Sequence, residues 1–495
     1  MPSYHVENFG CRATQADGAA LEHQFDKRGL SRASSAQADL IILNTCTVTN
    51  SADQDARAAI RRVQRQNPLA KIIVTGCYAQ RAPDEISALP GVTAVIGNSH
   101  KHQLAEIALP ILSDLGWRSA SSAAIDSLDQ IAASAAEGIA FVPLTSLTAQ
   151  DRKPEARLYV SDIFAHTELL AAPVFESTSA SASDRTRPNL KVQDGCDNRC
   201  SFCIIPSVRG HSRSLSLSEI IRQVSALVDT GYRELVISGI NLGRWGRDLA
   251  AGHQDDQRFE SLIRTILSDT SLEKLRISSV ETMDWSDELI HLVASSPRIA
   301  KHAHVPLQSG SDAVLRRMHR KYRPWHYREK IEKIRAAMPS AAIGADVMAG
   351  FPGETDAEFE ATRRLVADLP FTYLHVFTYS ARPGTPAAAM PNQVPVNVAR
   401  ERNKILRDLA AEKKLAFMQS FLGKTLEAIT LNVVHNRQGV EFTEALTDNY
   451  QKLFLRGLHT PNRWLTTNIV HIEDGVFLGS LAFPAHPALA AFRYS

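Results

Sequence analysis

Cys196, Cys200 and Cys203 lie in the run Gln193-Asp194-Gly195-Cys196-Asp197-Asn198-Arg199-Cys200-Ser201-Phe202-Cys203, a C-x3-C-x2-C spacing. No other feature limits the fold of this chain so tightly. Three thiols within eight residues must share one loop, and that loop needs an open side. The set suits three corners of a cubane iron–sulfur cluster, whose fourth iron then has no protein ligand. Ordinary electron carriers hold such a cluster with four cysteines, and no fourth cysteine lies near. An open iron implies a small molecule bound there, and hence chemistry rather than electron storage. Two other readings compete. Zinc takes thiolates, but it wants a fourth His or Cys at ligand spacing, and the nearby candidate, His211, stands beyond Pro206 and Gly210. A disulfide-bonded loop is the second.

The other three cysteines, Cys11, Cys46 and Cys77, are spread through the first eighty residues. Six cysteines in 495 residues make no disulfide scaffold, which points to reduced thiols and a cytoplasmic location. The length exceeds what one hydrophobic core organises, so about two to four domains are expected. A net charge of +2 does not announce a nucleic-acid partner, so any RNA contact must come from local patches. No apolar run approaches the roughly 20 residues needed to span a bilayer. Met1 to Arg12 lacks the basic-then-apolar order of a secretory signal.

The first hundred residues alternate strands and helices. Tyr4–Phe9, Leu40–Leu43 and Lys71–Thr75 read as strands, and Asp17–Lys27 and Ala52–Gln66 as helices. This βαβα order predicts an α/β domain with a parallel sheet over residues 1–104. Each upstream cysteine ends a strand, at Gly10-Cys11, Asn44-Thr45-Cys46 and Gly76-Cys77. Ligands of open α/β sheets gather outside the carboxyl ends of the strands, so these thiols can converge despite their separation. Burial as three inert cysteines is the alternative.

From 105 to 186 the pattern weakens, with an Ala- and Ser-rich stretch at Ser119–Ala136 and a Ser/Ala/Thr run at Ser177–Ser183, so a linker or insertion is expected. Over 187–420 the rhythm returns. Strands are expected at Asn189–Gln193, Glu234–Ile240, Lys274–Ser279, Ala303–Leu307, Ala342–Met348 and Tyr373–Thr378. Between them, Ile220, Val224, Leu227 and Val228, and again Phe359, Leu365, Val366 and Leu369, recur at helical spacing behind Ser216/Glu219 and Thr355/Glu358 capping boxes. Six βα repeats predict a partial (β/α)6 barrel with its chemistry at the strands' C-terminal ends. The cysteine loop follows the first strand, the correct end.

Val398–Gln419 reads as one long charged helix. Over 421–492 the period becomes two, at Leu426–Leu431 and Val470–Ile472, with turns at Asp474-Gly475 and Gly479, predicting a small β-barrel.

Several stretches then resemble the methylthiotransferases of the radical S-adenosylmethionine (SAM) superfamily. They are Asn44-Thr45-Cys46-Thr47-Val48-Thr49, Thr75-Gly76-Cys77-Tyr78-Ala79-Gln80, the cysteine loop through Ile204-Ile205-Pro206, Val305-Pro306-Leu307-Gln308-Ser309-Gly310, Gly350-Phe351-Pro352-Gly353-Glu354-Thr355, and Tyr379-Ser380-Ala381-Arg382-Pro383-Gly384-Thr385-Pro386. The resemblance implies an N-terminal methylthiotransferase domain, a radical SAM partial barrel and a C-terminal RNA-binding TRAM barrel. It implies two 4Fe-4S clusters, one on Cys196, Cys200 and Cys203 and one on Cys11, Cys46 and Cys77, with SAM at the first and a methylated sulfur species at the second. Its known substrates are isopentenyladenosine and threonylcarbamoyladenosine in tRNA and an aspartate of a ribosomal protein. Thr47-Val48-Thr49, Ser278-Ser279-Val280-Glu281 and Thr447-Asp448-Asn449-Tyr450 resemble the threonylcarbamoyladenosine branch. Arg12 and Thr14 depart from it, standing where Lys and Asn are usual.

Ser238-Gly239-Ile240-Asn241 and Gln308-Ser309-Gly310 end the second and fourth barrel strands, where small or amide residues let a backbone approach SAM or simply form strand-to-helix turns. Glu281 and Asp346, also near strand ends, suit a cationic or hydroxyl group of SAM, or capping. Arg57, Arg61 and Arg65 share a helix face, either solvated or touching phosphate. Arg187, Lys191, Arg209 and Arg213 bracket the cysteine loop as a candidate RNA path, and Tyr450 suits base stacking or a barrel core.

The expected function is methylthiolation of the adenine of threonylcarbamoyladenosine next to the tRNA anticodon, with an electron donor such as a flavodoxin or ferredoxin. The rivals are the isopentenyladenosine and ribosomal-protein reactions, and an RNA-binding protein whose clusters are structural or sense redox state.

Overall fold

A computed structural model describes residues 1–113, 156–170, 187–249, 258–437 and 439–482. The Ser119–Ala136 and Ser177–Ser183 stretches lie outside the described residues. The chain divides into two compact units, Met1–Leu170 with Ser207–Gly210, and Ala171–Pro206 with His211–Ser495.

The first unit is built on a six-stranded parallel sheet of β1 (Ser3–Asn8), β2 (Ser31–Arg32), β3 (Leu40–Thr45), β4 (Lys71–Gly76), β5 (Val92–Gly97) and β6 (Arg157–Tyr159), in the order β2-β1-β3-β4-β5-β6. Every residue of β3 is buried, as expected of a strand covered on both faces. Ile41, Leu43, Ile72 and Val74 pack on one face with Ile60 and Val63 of the helix Asn50–Gln66. Leu40, Ile42 and Ile73 pack on the other with Leu21 and Phe25 of the helix Arg12–Lys27. Strand alternation thus feeds two cores from one apolar run. The first helix starts at Arg12 rather than Asp17, with Cys11 as its N-cap. β6 arises where the sequence pattern is weak. Its three residues pair with Ala94–Ile96, and two of them are exposed, so no apolar run marks it.

In the second unit β7 (Asn189–Asp194), β9 (Glu234–Gly239) and β10 (Lys274–Ile277) pair in parallel, and β8 (Arg213–Ser214) adds antiparallel to the end of β7. β11 (His302–His304), β12 (Ala342–Ala349) and β13 (Tyr373–Thr378) form a second parallel group. Parallel bridges Leu275↔Ile299 and Ser279↔His304 join the two groups, so the six βα strands follow one another around an open partial barrel. β11 stops short of the expected Leu307. Pro306 has no N–H for the ladder, and Gln308 adopts φ +62°. Helices Leu217–Asp229, Phe259–Asp269, Asp287–Ser295, Pro324–Ala337 and Asp356–Asp368 bury Ile220, Leu262, Leu289, Ile331 and Val366 against the outer face. Thr355 and Glu358 form a full capping box. At Ser216 only half of one forms, because Arg222 and Gln223 hold the Glu219 carboxylate.

The helix Val396–Gln419 leads into a closed barrel of β14 (Thr425–Arg437), β15 (Val440–Thr447), β16 (Lys452–Arg456), β17 (Trp464–Glu473) and β18 (Val476–Leu481), in the order β14-β15-β16-β18-β17. Parallel pairing of β16 with β18 closes it. Asp474-Gly475 is the β17–β18 turn, with φ +50° and +71°. Gly479 is not a turn. It lies inside β18, where a Cβ would stand 2.9 Å from Leu453 Cδ1.

Candidate active site

The cysteine loop leaves the C-terminal end of β7 under the control of Gln193. Its Nε2 donates to the carbonyls of Asp194 (2.9 Å) and Gly195 (2.8 Å), and its Oε1 accepts from the Asn241 backbone N–H (2.7 Å). Gly239 is required for this, since a Cβ there would meet Gln193 Oε1 at 2.8 Å. The middle of the loop is pinned by Ser201, whose hydroxyl donates to Arg317 O (2.7 Å). Three donors reach the sulfurs. Asn198 N–H lies 3.4 Å and Asn241 Nδ2 3.6 Å from Cys196 Sγ, and Arg320 Nη1 lies 3.3 Å from Cys200 Sγ. Arg320 is buried, also donates to the Glu281 carboxylate, and lies 4.9 Å over the Tyr322 ring.

Burial pushes the Cys203 thiol up to about 12, and the charges of Cys200 and Cys196 push the same way against the Ile205 N–H and Arg320. Burial also raises Cys196, with the Asn198 N–H opposing and Cys200 adding. Thiols that feel one another's charge surround one common space.

The second triad forms in the first unit by topology. β1, β3 and β4 are neighbours in one parallel sheet, so Cys11, Cys46 and Cys77, each just past its strand, emerge side by side. Burial pushes the Cys46 thiol up to about 11, and Cys77 and Cys11 add to it, while the Val48 N–H and Arg209 oppose. Gly10, at φ +102°, admits the approach, since its Cβ would stand 2.8 Å from Cys46 Sγ. Asn98 Nδ2 donates to Cys77 Sγ (3.5 Å), and Thr14 Oγ1 lies 3.6 Å from Cys11 Sγ. Nearby, buried Asp17 accepts from Lys101 Nζ and Arg209 Nη2, each at 3.0 Å. Lys101, held also by Asn44 Oδ1, is lowered by burial.

These residues fit the groups that the sequence implies. All six cysteines are free thiols, so the disulfide-loop reading falls. At the end of β9, Ser238 Oγ and Asn241 Oδ1 are buried with no hydrogen-bond partner. Buried polar atoms of this kind need one, and SAM, with its ammonium, carboxylate and ribose hydroxyls, can supply it beside Cys196.

The other sequence candidates separate. Glu281 reaches the loop through Arg320. Gln308 sits in the left-handed region, uncommon for a side chain other than glycine, and bridges to Val347. Ser309 is wholly buried against Thr362 Oγ1 (3.1 Å) and builds the turn. Three of the RNA candidates have partners within the protein. Arg187 is mostly buried and pairs with Glu234 (3.4 Å). Arg213 is buried and donates to His211 O (3.2 Å). Tyr450 is half-buried, its ring 4.7 Å from that of His302. Each has an internal partner. Arg209 likewise serves Asp17. Arg57 is half-buried and donates to Tyr78 OH (2.7 Å), while Arg61 and Arg65 are exposed on the same helix. Sequence reasoning missed Gln193, Arg320 and Asn98. Gln193 was legible as a buried amide on the strand that feeds the loop. Arg320, 120 residues from Cys200, carried no signal.

The family model for the radical SAM superfamily matches residues 190–366, and that of the uncharacterized protein family UPF0004 matches residues 3–97. The threonylcarbamoyladenosine tRNA methylthiotransferase MtaB of Bacillus subtilis is 36% identical over 462 residues, 92% of this chain and 91% of that protein. Its namesake from Rickettsia prowazekii is 35% identical over 86% of this chain and 87% of that protein. A tRNA-2-methylthio-N(6)-dimethylallyladenosine synthase of Endomicrobium trichonymphae is 29% identical over 92% and 94%. Among solved structures, the radical SAM methyltransferase TsrM of Kitasatospora setae, with cobalamin and a [4Fe-4S] cluster bound, superposes with a TM-score of 0.53. It is 14% identical, covering 78% of this chain and 77% of that one, and so speaks to the fold alone.

Proposed function

The chain belongs to the radical SAM methylthiotransferases that act on tRNA, and on that premise we propose that it methylthiolates the adenine of N6-threonylcarbamoyladenosine next to the anticodon. Its cofactors are two 4Fe-4S clusters and SAM. We assign one cluster to Cys196, Cys200 and Cys203 and the other to Cys11, Cys46 and Cys77. When bound, these groups supply a 5′-deoxyadenosyl radical at the first triad and a methylated sulfur at the second.

The chain's own residues do the holding. Gln193 fixes the start of the cysteine loop, and Arg320 sets a cation against Cys200. Ser238 and Asn241 offer polar atoms to SAM. The observation that carries the reading is the pair of three-thiol sets, one in a single loop and one at the ends of neighbouring parallel strands, each with no fourth cysteine. A redox sensor or structural site would fill that fourth corner from the polypeptide. Support for the threonylcarbamoyl substrate comes from two relatives that carry that name, at 36% and 35% identity, against 29% and 32% for two dimethylallyl enzymes. An external one-electron donor such as a flavodoxin or ferredoxin completes the reaction. Among the described residues no helix is long and apolar enough to cross a membrane.

Mass spectrometry of tRNA nucleosides from a deletion strain tests this. Loss of methylthio-threonylcarbamoyladenosine alone is expected. Loss of the isopentenyl counterpart instead names the other substrate, and persistence of both overturns the tRNA assignment.

A further inference from the structure

The last strand of the partial barrel carries a ladder of rings on its concave face. Leu374 and Val376 pack with the outer core, so Tyr373, His375 and Phe377 point the other way. Tyr373 is fixed at the deep end. Its hydroxyl lies 2.7 Å from His302 Nε2 and 3.0 Å from His304 Nδ1, and its ring fills the place of a Cβ on Gly344. His304 Nε2 in turn lies 3.2 Å from Asp346 Oδ2. One step up the strand, the His375 ring lies 5.3 Å from Tyr373 and 5.5 Å from His304, and the residue is exposed. One step further, Phe377 is 48% exposed. The deep part of the ladder is therefore packed, and its upper two rungs open toward the end of the barrel that carries the cysteine loop.

An exposed phenyl beside an exposed imidazole, about 7 Å apart along a strand, matches a flat base that carries a polar arm. Aromatic side chains stack on extruded bases, and every base offers a face for it. The methylthiolated carbon of adenine, C2, and the substituted N6 flank N1 on one edge. A base offered to the active site thus carries its N6 substituent along with it. The threonylcarbamoyl group bears a carboxylate, a hydroxyl and a urea, whereas the isopentenyl group is a hydrocarbon. Sites that hydrogen-bond a polar substrate group discriminate strongly against analogues that lack it.

We propose that His375 hydrogen-bonds the carboxylate-bearing threonylcarbamoyl arm while Phe377 stacks on its adenine, which makes His375 the residue that selects the substrate. This rests on the substrate reading above. The test measures anaerobic dissociation constants for the reconstituted holoenzyme and its His375→Ala, His375→Gln and Phe377→Ala variants. The probes are three anticodon stem-loops that differ only in carrying threonylcarbamoyladenosine, isopentenyladenosine or adenosine. Circular dichroism and iron content verify that each variant folds and loads.

His375→Ala is expected to weaken binding of the threonylcarbamoyl RNA about tenfold, the range for a lost hydrogen bond to a charged group, with the other two RNAs little changed. His375→Gln, which keeps a donor, recovers part of the loss. Phe377→Ala weakens all three by about fivefold or more, as loss of a stacking platform does. A wild-type enzyme that binds the isopentenyl RNA as tightly as the threonylcarbamoyl RNA sinks the substrate reading. A wild-type preference that survives intact in both His375 variants overturns the inference and leaves that reading standing.

Discussion

Arg276 Nε donates to Glu234 Oε1 across 2.7 Å, and neither side chain meets solvent. Arg276 also donates to the backbone carbonyls of Thr447 (3.4 Å) and Asp448 (3.1 Å), and lies 5.3 Å over the Tyr450 ring. One buried ion pair thus ties the floor of the catalytic barrel to a turn of the small C-terminal barrel.

Glu234→Gln should destabilise the protein by about 3–5 kcal/mol, because it leaves Arg276 buried without its counter-charge. Burial pushes the Glu234 carboxyl up, but Arg276 and Arg187 outweigh it and hold it below the usual carboxylate range. Its contribution is therefore in force above that range and is lost as pH falls through the lowered folded value. Denaturant midpoints of wild type and variant should differ at neutral pH and converge in acid.

Each thiol triad should load independently. Iron analysis of anaerobically reconstituted protein is expected to give about eight atoms per chain, falling to about four in either Cys200→Ala or Cys46→Ala. Cys200→Ala should form no 5′-deoxyadenosine with SAM and dithionite. Cys46→Ala should still form it, yet leave tRNA without the methylthio group.

Gly10→Ala attacks the upstream triad without removing a ligand. The new Cβ would stand 2.5 Å from Cys46 Cβ, and the backbone is at φ +102°, a conformation that costs about 1–3 kcal/mol for a residue with a side chain. Iron content should drop toward that of Cys46→Ala, while SAM cleavage is retained.

Arg320→Gln removes a buried cation that donates to Cys200 Sγ across 3.3 Å. Positive charge and hydrogen bonds at cluster sulfurs favour the reduced form. The midpoint potential of that cluster, read by EPR in a redox titration, should move to a more negative value. Arg320→Lys, which keeps the charge and loses the fork, should fall between the two.

The elements that sequence located well are those with strong local patterning. Tyr373–Thr378 stands where it was expected, and the strands preceding Cys46 and Cys77 are marked by their apolar runs. The upstream three thiols could be expected to converge because each ends a strand of one α/β domain, and the family resemblance supplied their role as a second set. What stayed hidden depends on partners distant in the chain. β6 is recruited by β5 across residues outside the described set. Arg320 meets Cys200 only after β11 and its loop fold back. Arg187, Arg213 and Tyr450 read as a basic and aromatic RNA surface because charge and ring are visible in sequence, and burial is not. Their partners within the protein are Glu234, the His211 carbonyl and His302.

The Asp448–Tyr450 turn has a consequence for how the molecule is made. The catalytic strands end at Thr378, yet the residues that underlie them leave the ribosome some seventy positions later. During synthesis the enzyme's central chamber stays bottomless until nearly the whole chain has emerged. A nonsense mutation before Thr447 would therefore cripple the chemical core itself, and not merely remove a detachable C-terminal barrel.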